Sequence, residues 1–186
     1  MPCFLSRHTL LHQLIRVIVG ASSTIIGRAS CPRTSAVAHP LPVGCRMAST
    51  SCLRVDAIPA FTDNYIWCIT GSKAAVLVDP GDAKPAIEYL EKQDVALAGV
   101  LITHHHADHV GGLHDLVAWG RARGVSFPVY GPATERIPER THAVREGDEV
   151  RFDAAGVTLR VLEVPGHTLG HVAYVVDAVR TALHTL

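Results

Sequence analysis

The chain has 186 residues, a length that favours one domain with enough material for a sizeable core. Its content of 48% hydrophobic residues is ordinary for a globular protein, and no apolar run is long enough to span a bilayer, so we expect no membrane partner. Seventeen basic and seventeen acidic residues give a formal net charge of zero at pH 7, which argues against nucleic acid as a partner.

Residues 1–46 differ in composition from the rest of the chain. They contain five arginines but no acidic residue, and they are rich in serine and threonine. Such a segment is typical of an organelle transit peptide, and the alternative is a disordered N-terminal extension. The first interpretation predicts the mitochondrial matrix as the location, with Met47 as a second start that would give a cytoplasmic form.

The cysteines indicate free thiols in a reducing compartment. They form no C-x-x-C pair, and four of the five lie at or before residue 52, a pattern typical of neither a disulfide framework nor a zinc ribbon. The five are Cys3, Cys31, Cys45, Cys52 and Cys68.

From Leu53 the pattern predicts short strands with interleaved helices. Runs of apolar and β-branched residues, separated by turn residues, predict the strands, and helical spacing predicts two helices, the first capped by Asp82. The predicted strands cover 53–58, 65–70, 74–78, 99–103, 128–130, 149–152, 157–164 and 172–176, and the helices cover 83–93 and 113–123. This succession indicates an α/β layered domain.

Residues 103–112 read Thr-His-His-His-Ala-Asp-His-Val-Gly-Gly and follow a predicted buried strand. Imidazole nitrogens and carboxylate oxygens suit zinc and related metals. His104 and His106 face the same side of an extended backbone, and Asp108 and His109 follow where the chain turns, so the spacing suits two adjacent metal ions. The alternative, a solvated histidine-rich loop, is disfavoured by the order of strand, motif, glycine pair and helix.

The motif resembles the signature of the metallo-β-lactamase fold superfamily and, within it, the glyoxalase II (hydroxyacylglutathione hydrolase) family. Residues 59–65 look like that family's first hairpin, and residues 164–171, Val-Pro-Gly-His-Thr-Leu-Gly-His, resemble the stretch whose first histidine binds metal. The resemblance implies an αββα sandwich over residues 47–177. It also implies that one metal is held by His104, His106 and His167, and that the second site begins with Asp108 and His109.

The resemblance further implies metal-dependent hydrolysis of 2-hydroxyacyl-glutathione thioesters, such as S-lactoylglutathione, in methylglyoxal detoxification. The complete site would hold two zinc ions, with iron or manganese as the alternative in one position, and Asp108 would also orient the nucleophile. The full-length protein would be a monomer that acts on a small-molecule glutathione thioester. Two alternatives stay open: a persulfide dioxygenase-like iron enzyme of the same superfamily, and an inactive metal-binding truncated isoform.

Three further residues have more than one interpretation. His105 is expected to point away from the metals, in a structural or exposed role. His171 is expected to orient its loop rather than bind metal. For Asp79, a hydrogen bond to a ligand histidine and a simple turn role are equally consistent with the sequence.

Residues 178–186 do not match the family pattern and read as an aberrant or truncated tail. By the resemblance, the chain would carry half to two-thirds of the sandwich. The first site would keep three histidines, whereas the second would keep Asp108 and His109 and bind weakly. We therefore expect this chain alone to be poorly soluble or dimeric, with little thioesterase activity, because sheet edges and apolar surface would be exposed.

Overall fold

A computed structural model describes residues 53–71 and 73–176, together with the two-residue strand Ile18–Val19. These residues form two β-sheets and three helices. The six-stranded sheet contains, in spatial order, β2 (Arg54–Ala60), β3 (Asn64–Thr70), β4 (Ala74–Val78), β5 (Ala96–Leu101), β6 (Val129–Pro132) and β7 (His142–Val144). The four-stranded sheet contains, in spatial order, β1 (Ile18–Val19), β10 (Val172–Val176), β9 (Val157–Glu163) and β8 (Glu149–Phe152).

The helices are α1 (Ala83–Gln93), α2 (Ala107–Val110) and α3 (Leu113–Ala122). Helix α1 begins at Asp82, whose side chain accepts a hydrogen bond from the backbone N–H of Lys84 at 2.9 Å, as the sequence predicted. It ends at Asp94, which has a left-handed backbone with φ 51°. The buried residues Ala86 and Leu90 form the face that packs on the sheet.

The six-stranded sheet is covered on both faces. Strand β4 is buried at all five positions, because Ala75 and Leu77 face the helices whereas Val76 faces the four-stranded sheet. Strands β4 to β7 run parallel to one another, and β2, β3 and β4 are antiparallel. The described residues therefore form a helix layer, a six-stranded sheet and a four-stranded sheet, which is a partial sandwich of the expected kind.

Every predicted strand and helix is present, with ends shifted by three residues or fewer. Three elements were not predicted, the two-residue strand β1, the three-residue strand β7 and the one-turn helix α2, because each is too short to show a periodic pattern. Residues 102 and 103 were assigned to a strand but lie beyond the end of β5, since Thr103 instead bonds to a side chain at the end of β4.

Strand β1 pairs in parallel with β10, with Ile18 opposite Val175 and Val19 opposite Val176. The transit-peptide prediction for residues 1–46 otherwise lies outside the described residues, as does the prediction for residues 178–186. Among the cysteines, Cys68 is described, and its thiol is free and buried. Within the described part of the chain, no helix has the length and apolar character needed to cross a bilayer.

Candidate metal centre

The loop after β5 is fixed from both sheets. The carboxylate of Asp79, which is 1% exposed, accepts hydrogen bonds from the backbone N–H of Thr103 at 2.8 Å and from its hydroxyl at 2.7 Å. From β10, Val172 N donates to the carbonyl of Thr103 at 3.0 Å, and the hydroxyl of Tyr174 donates to the carbonyl of Ile102 at 3.0 Å. The backbone that precedes the histidines is therefore held in one position.

Three histidines meet where this loop faces the loop between β9 and β10. The side-chain nitrogens of His104, His106 and His167 lie within 4.8 Å of one another. His167 Nε2 is 3.0 Å from His106 Nδ1. The structure thus brings together the three residues assigned to one metal, although they come from two loops and 61 positions separate His106 from His167.

His104 has the environment of a metal ligand. Its Nδ1 is 2.9 Å from the hydroxyl of Thr103, which leaves Nε2 buried and without a hydrogen-bond partner. A buried polar nitrogen of this kind costs free energy unless a ligand engages it, so the residues fit a metal ion. Burial, with the nearby His109, lowers the pKa of His104 to about 3. The imidazole therefore stays neutral at physiological pH, which is the form that binds metal.

The second pair of predicted ligands lies at the start of α2. Asp108 Oδ2 is 3.3 Å from His109 Nε2, and Asp79 Oδ2 is 3.0 Å from His109 Nδ1. Burial lowers the pKa of His109, but the neighbouring Asp79 carboxylate outweighs it and the net shift is upward. Asp79, His104 and His109 also form a group that could hold an ion, with ligand atoms within 4.8 Å. Asp79 thus contacts His109, a proposed ligand, and also occupies a left-handed turn with φ 52°.

Asn64, at the start of β3, contacts Asp108, and sequence reasoning missed it. Its amide donates to Asp108 Oδ2 at 2.7 Å and to the Asp108 carbonyl at 3.4 Å. Burial raises the pKa of Asp108, but the hydrogen bond from Asn64, the nearby His109 and weaker contacts together outweigh it, so the pKa lies below its usual value. The carboxylate of Asp108 is therefore ionised, and the hydrogen bond from Asn64 fixes its orientation. Asn64 lies in the hairpin at residues 59–65, which the sequence analysis identified. The contact between this hairpin and the histidine motif could not be predicted from sequence spacing.

Two glycines allow the turn after β4 to contact α2. A Cβ on Gly81 would lie 1.8 Å from the carbonyl oxygen of Asp108, and one on Gly112 would lie 2.4 Å from Ala83 N. No larger residue fits at either position without moving backbone. The close approach places Asp79 beside His109.

The remaining histidines of the two loops do not join the cluster. His105 turns away from it, as expected, and its ring and backbone nitrogens contact the carboxylate of Glu135. His171 stacks on the His104 ring with 4.7 Å between centroids, and its backbone carbonyl accepts a hydrogen bond from Val164 N at 2.8 Å. Glu135 is a further residue that sequence reasoning missed.

An open cleft of about 660 Å³ lies beside the cluster. Its walls include His106 and His167 together with Thr134, Arg136 and the fully exposed Leu169. A small molecule in this cleft can therefore reach the edge of the histidine cluster.

Two facing sheets, with histidine and aspartate side chains gathered on loops at one end, define a metal-binding sandwich domain. The family model described as the Metallo-beta-lactamase superfamily matches residues 61–183, and the chain belongs to that superfamily. This membership confirms the predicted fold class and the metal-dependent character of the domain.

Curated relatives carry a more specific description. The chain is 54% identical over 127 residues to a hydroxyacylglutathione hydrolase of Cupriavidus metallidurans, an alignment that covers 67% of this chain and 48% of that protein. It is 50% identical over 129 residues to a hydroxyacylglutathione hydrolase of Vibrio campbellii, with the same coverage. The chain thus spans about half the length of the curated relatives it matches.

Solved structures agree on the fold. The BLEG-1 B3 metallo-β-lactamase has a TM-score of 0.55 at 24% identity, covering 64% of this chain and 66% of that one. A metallo-β-lactamase from Staphylococcus aureus has a TM-score of 0.53 at 20% identity, covering 69% of this chain and 40% of that one. At these identities the likeness shows the shared architecture alone.

Proposed function

We propose that this chain supplies the metal-binding part of a hydroxyacylglutathione hydrolase. The reaction is hydrolysis of 2-hydroxyacyl-glutathione thioesters, such as S-lactoylglutathione, to the hydroxy acid and glutathione. The observation that carries the proposal is the convergence of His104, His106 and His167, with the buried Nε2 of His104 unpartnered. The identity of 54% to a relative described as this hydrolase supports the choice of substrate.

The first metal would be held by His104, His106 and His167, and the second by Asp108 and His109, with zinc as the proposed ion and iron or manganese as the alternative in one position. Bound zinc supplies Lewis acidity, which activates water at neutral pH and stabilises developing negative charge. Asp108 is fixed by Asn64 at 2.7 Å and therefore is suited to orient the attacking water. The thiolate leaving group has a low enough pKa, about 8.5 for a free thiol, to depart without a strong general acid.

The cleft beside His106 and His167 is the proposed entry for a small-molecule glutathione thioester. The substrate class places the protein in methylglyoxal detoxification, and the full-length protein is proposed to act as a monomer. The arginine-rich, acid-free composition of residues 1–46 supports a mitochondrial matrix location, with a cytoplasmic form from Met47. N-terminal sequencing of the protein from isolated mitochondria and from cytosol tests this location, and one identical start in both fractions would contradict it.

The thioesterase proposal is tested in two settings. The zinc-loaded chain is assayed with S-lactoylglutathione, and so is a chimera in which residues 53–176 replace the matching part of the Cupriavidus metallidurans relative. We expect the chimera to turn over the thioester and His106→Ala to reduce the rate at least about 100-fold, since a lost ligand removes the ion. The matched control is His114→Ala, because His114 is exposed on α3 and pairs with Glu139.

A folded, zinc-loaded chimera without thioester turnover would contradict the proposal, as would full activity in the His106→Ala variant. Iron retention by the chain, with oxygen consumption on glutathione persulfide, would instead favour the dioxygenase alternative.

A further inference from the structure

The carboxylate of Glu135 lies between the two loops that carry the three histidines. Its side chain is 6% exposed, in the turn after β6. Oε2 accepts hydrogen bonds from the backbone N–H of His105 at 2.7 Å and from the His105 ring at 2.8 Å. Oε1 accepts from the hydroxyl of Thr168 and from the backbone N–H of Gly170 at 3.0 Å. Each oxygen therefore holds a different loop.

We propose that Glu135 is a positioning residue that sets the distance between the His106 and His167 nitrogens and thereby the geometry of the three-histidine metal site. The inference rests on the metal site of the proposed function. His105 is flanked in sequence by His104 and His106, and Thr168 follows His167 directly, so both halves of the carboxylate act within one residue of a proposed ligand.

A backbone hydrogen bond also joins the start of one loop to the end of the other. Val172 N donates to the carbonyl of Thr103 at 3.0 Å, next to His104. That bond holds the backbone beside His104, whereas Glu135 holds the backbone beside His106 and His167, whose Nδ1 and Nε2 atoms are 3.0 Å apart.

The surroundings of Glu135 keep its carboxylate in place. The guanidinium of Arg140 donates to the Glu135 carbonyl at 2.8 Å and to the carbonyl of Pro132, which fixes the turn. A Cβ on Gly170 would lie 2.6 Å from Glu135 Cγ, so glycine at that position lets the side chain reach between the loops. The arrangement has the properties of a preorganised support for ligand side chains.

A glutamine at position 135 would break this arrangement with little change of volume. The Thr168 hydroxyl can rotate and the His105 ring can change tautomer, so each can accept from an amide NH₂. The backbone N–H groups of His105 and Gly170 can only donate, so whichever of them faces the NH₂ loses its acceptor. One of the two loops then loses its backbone hydrogen bond to residue 135.

The test measures zinc affinity of the full chain by competition with a chromophoric chelator, and the visible spectrum of the Co²⁺ form. We expect Glu135→Gln to weaken zinc binding at least about tenfold and to change the Co²⁺ spectrum, as loss of groups that orient metal ligands does elsewhere. The matched control is Glu139→Gln, a glutamate that pairs with the exposed His114 at 3.2 Å, and we expect it to behave like the unsubstituted chain. Equal zinc affinity and equal Co²⁺ spectra for Glu135→Gln and the unsubstituted chain would overturn the inference.

A second pair of variants covers the case in which Glu135→Gln does not fold. Thr168→Val removes the hydroxyl that donates to Glu135, and Thr168→Ser keeps it. We expect weaker zinc binding for the valine variant and restored binding for the serine variant, whereas equal binding by both would overturn the inference.

The same measurements separate this inference from the proposed function. Zinc binding that depends on Glu135, in a protein whose chimera does not hydrolyse S-lactoylglutathione, would support the positioning role and contradict the hydrolase. A chain that binds no zinc would overturn both.

Discussion

At the scale of single residues, two carboxylates outside the histidine motif hold the proposed ligands in place. Asp79 bonds to Thr103 and contacts His109 at 3.0 Å, and Glu135 bonds to both ligand loops. Hydrogen bonds from Thr168 and His105 outweigh the effect of burial, so the pKa of Glu135 lies below its usual value. The carboxylate is thus an acceptor for every donor around it.

Replacement of Asp79 tests the first of these supports. Asp79→Ala leaves the buried backbone N–H of Thr103 without an acceptor, and we expect the free energy of unfolding to fall by about 1–3 kcal/mol. Urea denaturation of the metal-free chain measures it. Asp115→Ala, an exposed position on α3, is the control and is expected to change stability by less than about 0.5 kcal/mol. An equal effect of both substitutions would contradict the expectation.

The proposed ligands are easier to recognise in the sequence than the residues that hold them in place. His104, His106, Asp108 and His109 are close together in the chain, so their spacing and chemistry are visible without a fold. Glu135 contacts His105 across 30 positions, and Asn64 contacts Asp108 across 44. Such contacts depend on how the strands are ordered in the sheet, and no local pattern encodes that order.

At the scale of elements, β5 and β8 come into contact because one residue lacks a side chain. A Cβ on Gly99 of β5 would lie 2.2 Å from the ring of Phe152 on β8, in the other sheet. Local pattern predicts both strands, β5 from a run of apolar residues and β8 as part of a hairpin. Their packing partners could not be predicted, because such patterns show that a strand is buried and not what covers it.

A methyl group at position 99 is therefore expected to force the sheets apart locally. We expect Gly99→Ala to lower the free energy of unfolding by about 1–3 kcal/mol through overpacking. Adding Phe152→Leu removes the ring edge that the methyl group meets, so the double variant is expected to lose less than the sum of the single variants. Thermal unfolding of the four proteins gives the coupling, and strict additivity would contradict the proposed contact.

At the scale of the whole molecule, three weakly acidic side chains stay protonated at neutral pH, two of them buried and Tyr89 partly buried. Burial raises the pKa of Cys68 to about 11, and burial also raises that of Tyr174. Burial, together with the hydrogen bond that Tyr89 donates to Asp56, raises the pKa of the Tyr89 hydroxyl. In the unfolded chain these groups lose their protons at lower pH, so the unfolded state binds fewer protons in alkaline solution.

The contribution of these three groups to stability is accordingly expected to be constant up to about pH 8.5 and to fall as the pH rises further, because the folded state then holds protons that the unfolded state has lost. Urea denaturation between about pH 7 and pH 11 measures this profile. The Tyr89→Phe variant has one titrating group fewer, and its decline is expected to be shallower. A free energy of unfolding that stays level up to pH 11 would refute the expectation.

The origin of the three clustered histidines connects metal binding with the folding of the whole sandwich. His104 and His106 follow β5 of the six-stranded sheet, and His167 precedes β10 of the four-stranded sheet. An ion held by all three would connect the two sheets, and its binding free energy would add to the stability of the folded state. By reciprocity, a substitution between the sheets that unfolds a fraction of the chain would raise the apparent dissociation constant of the ion. Even a substitution as distant as Gly99→Ala would then weaken metal binding.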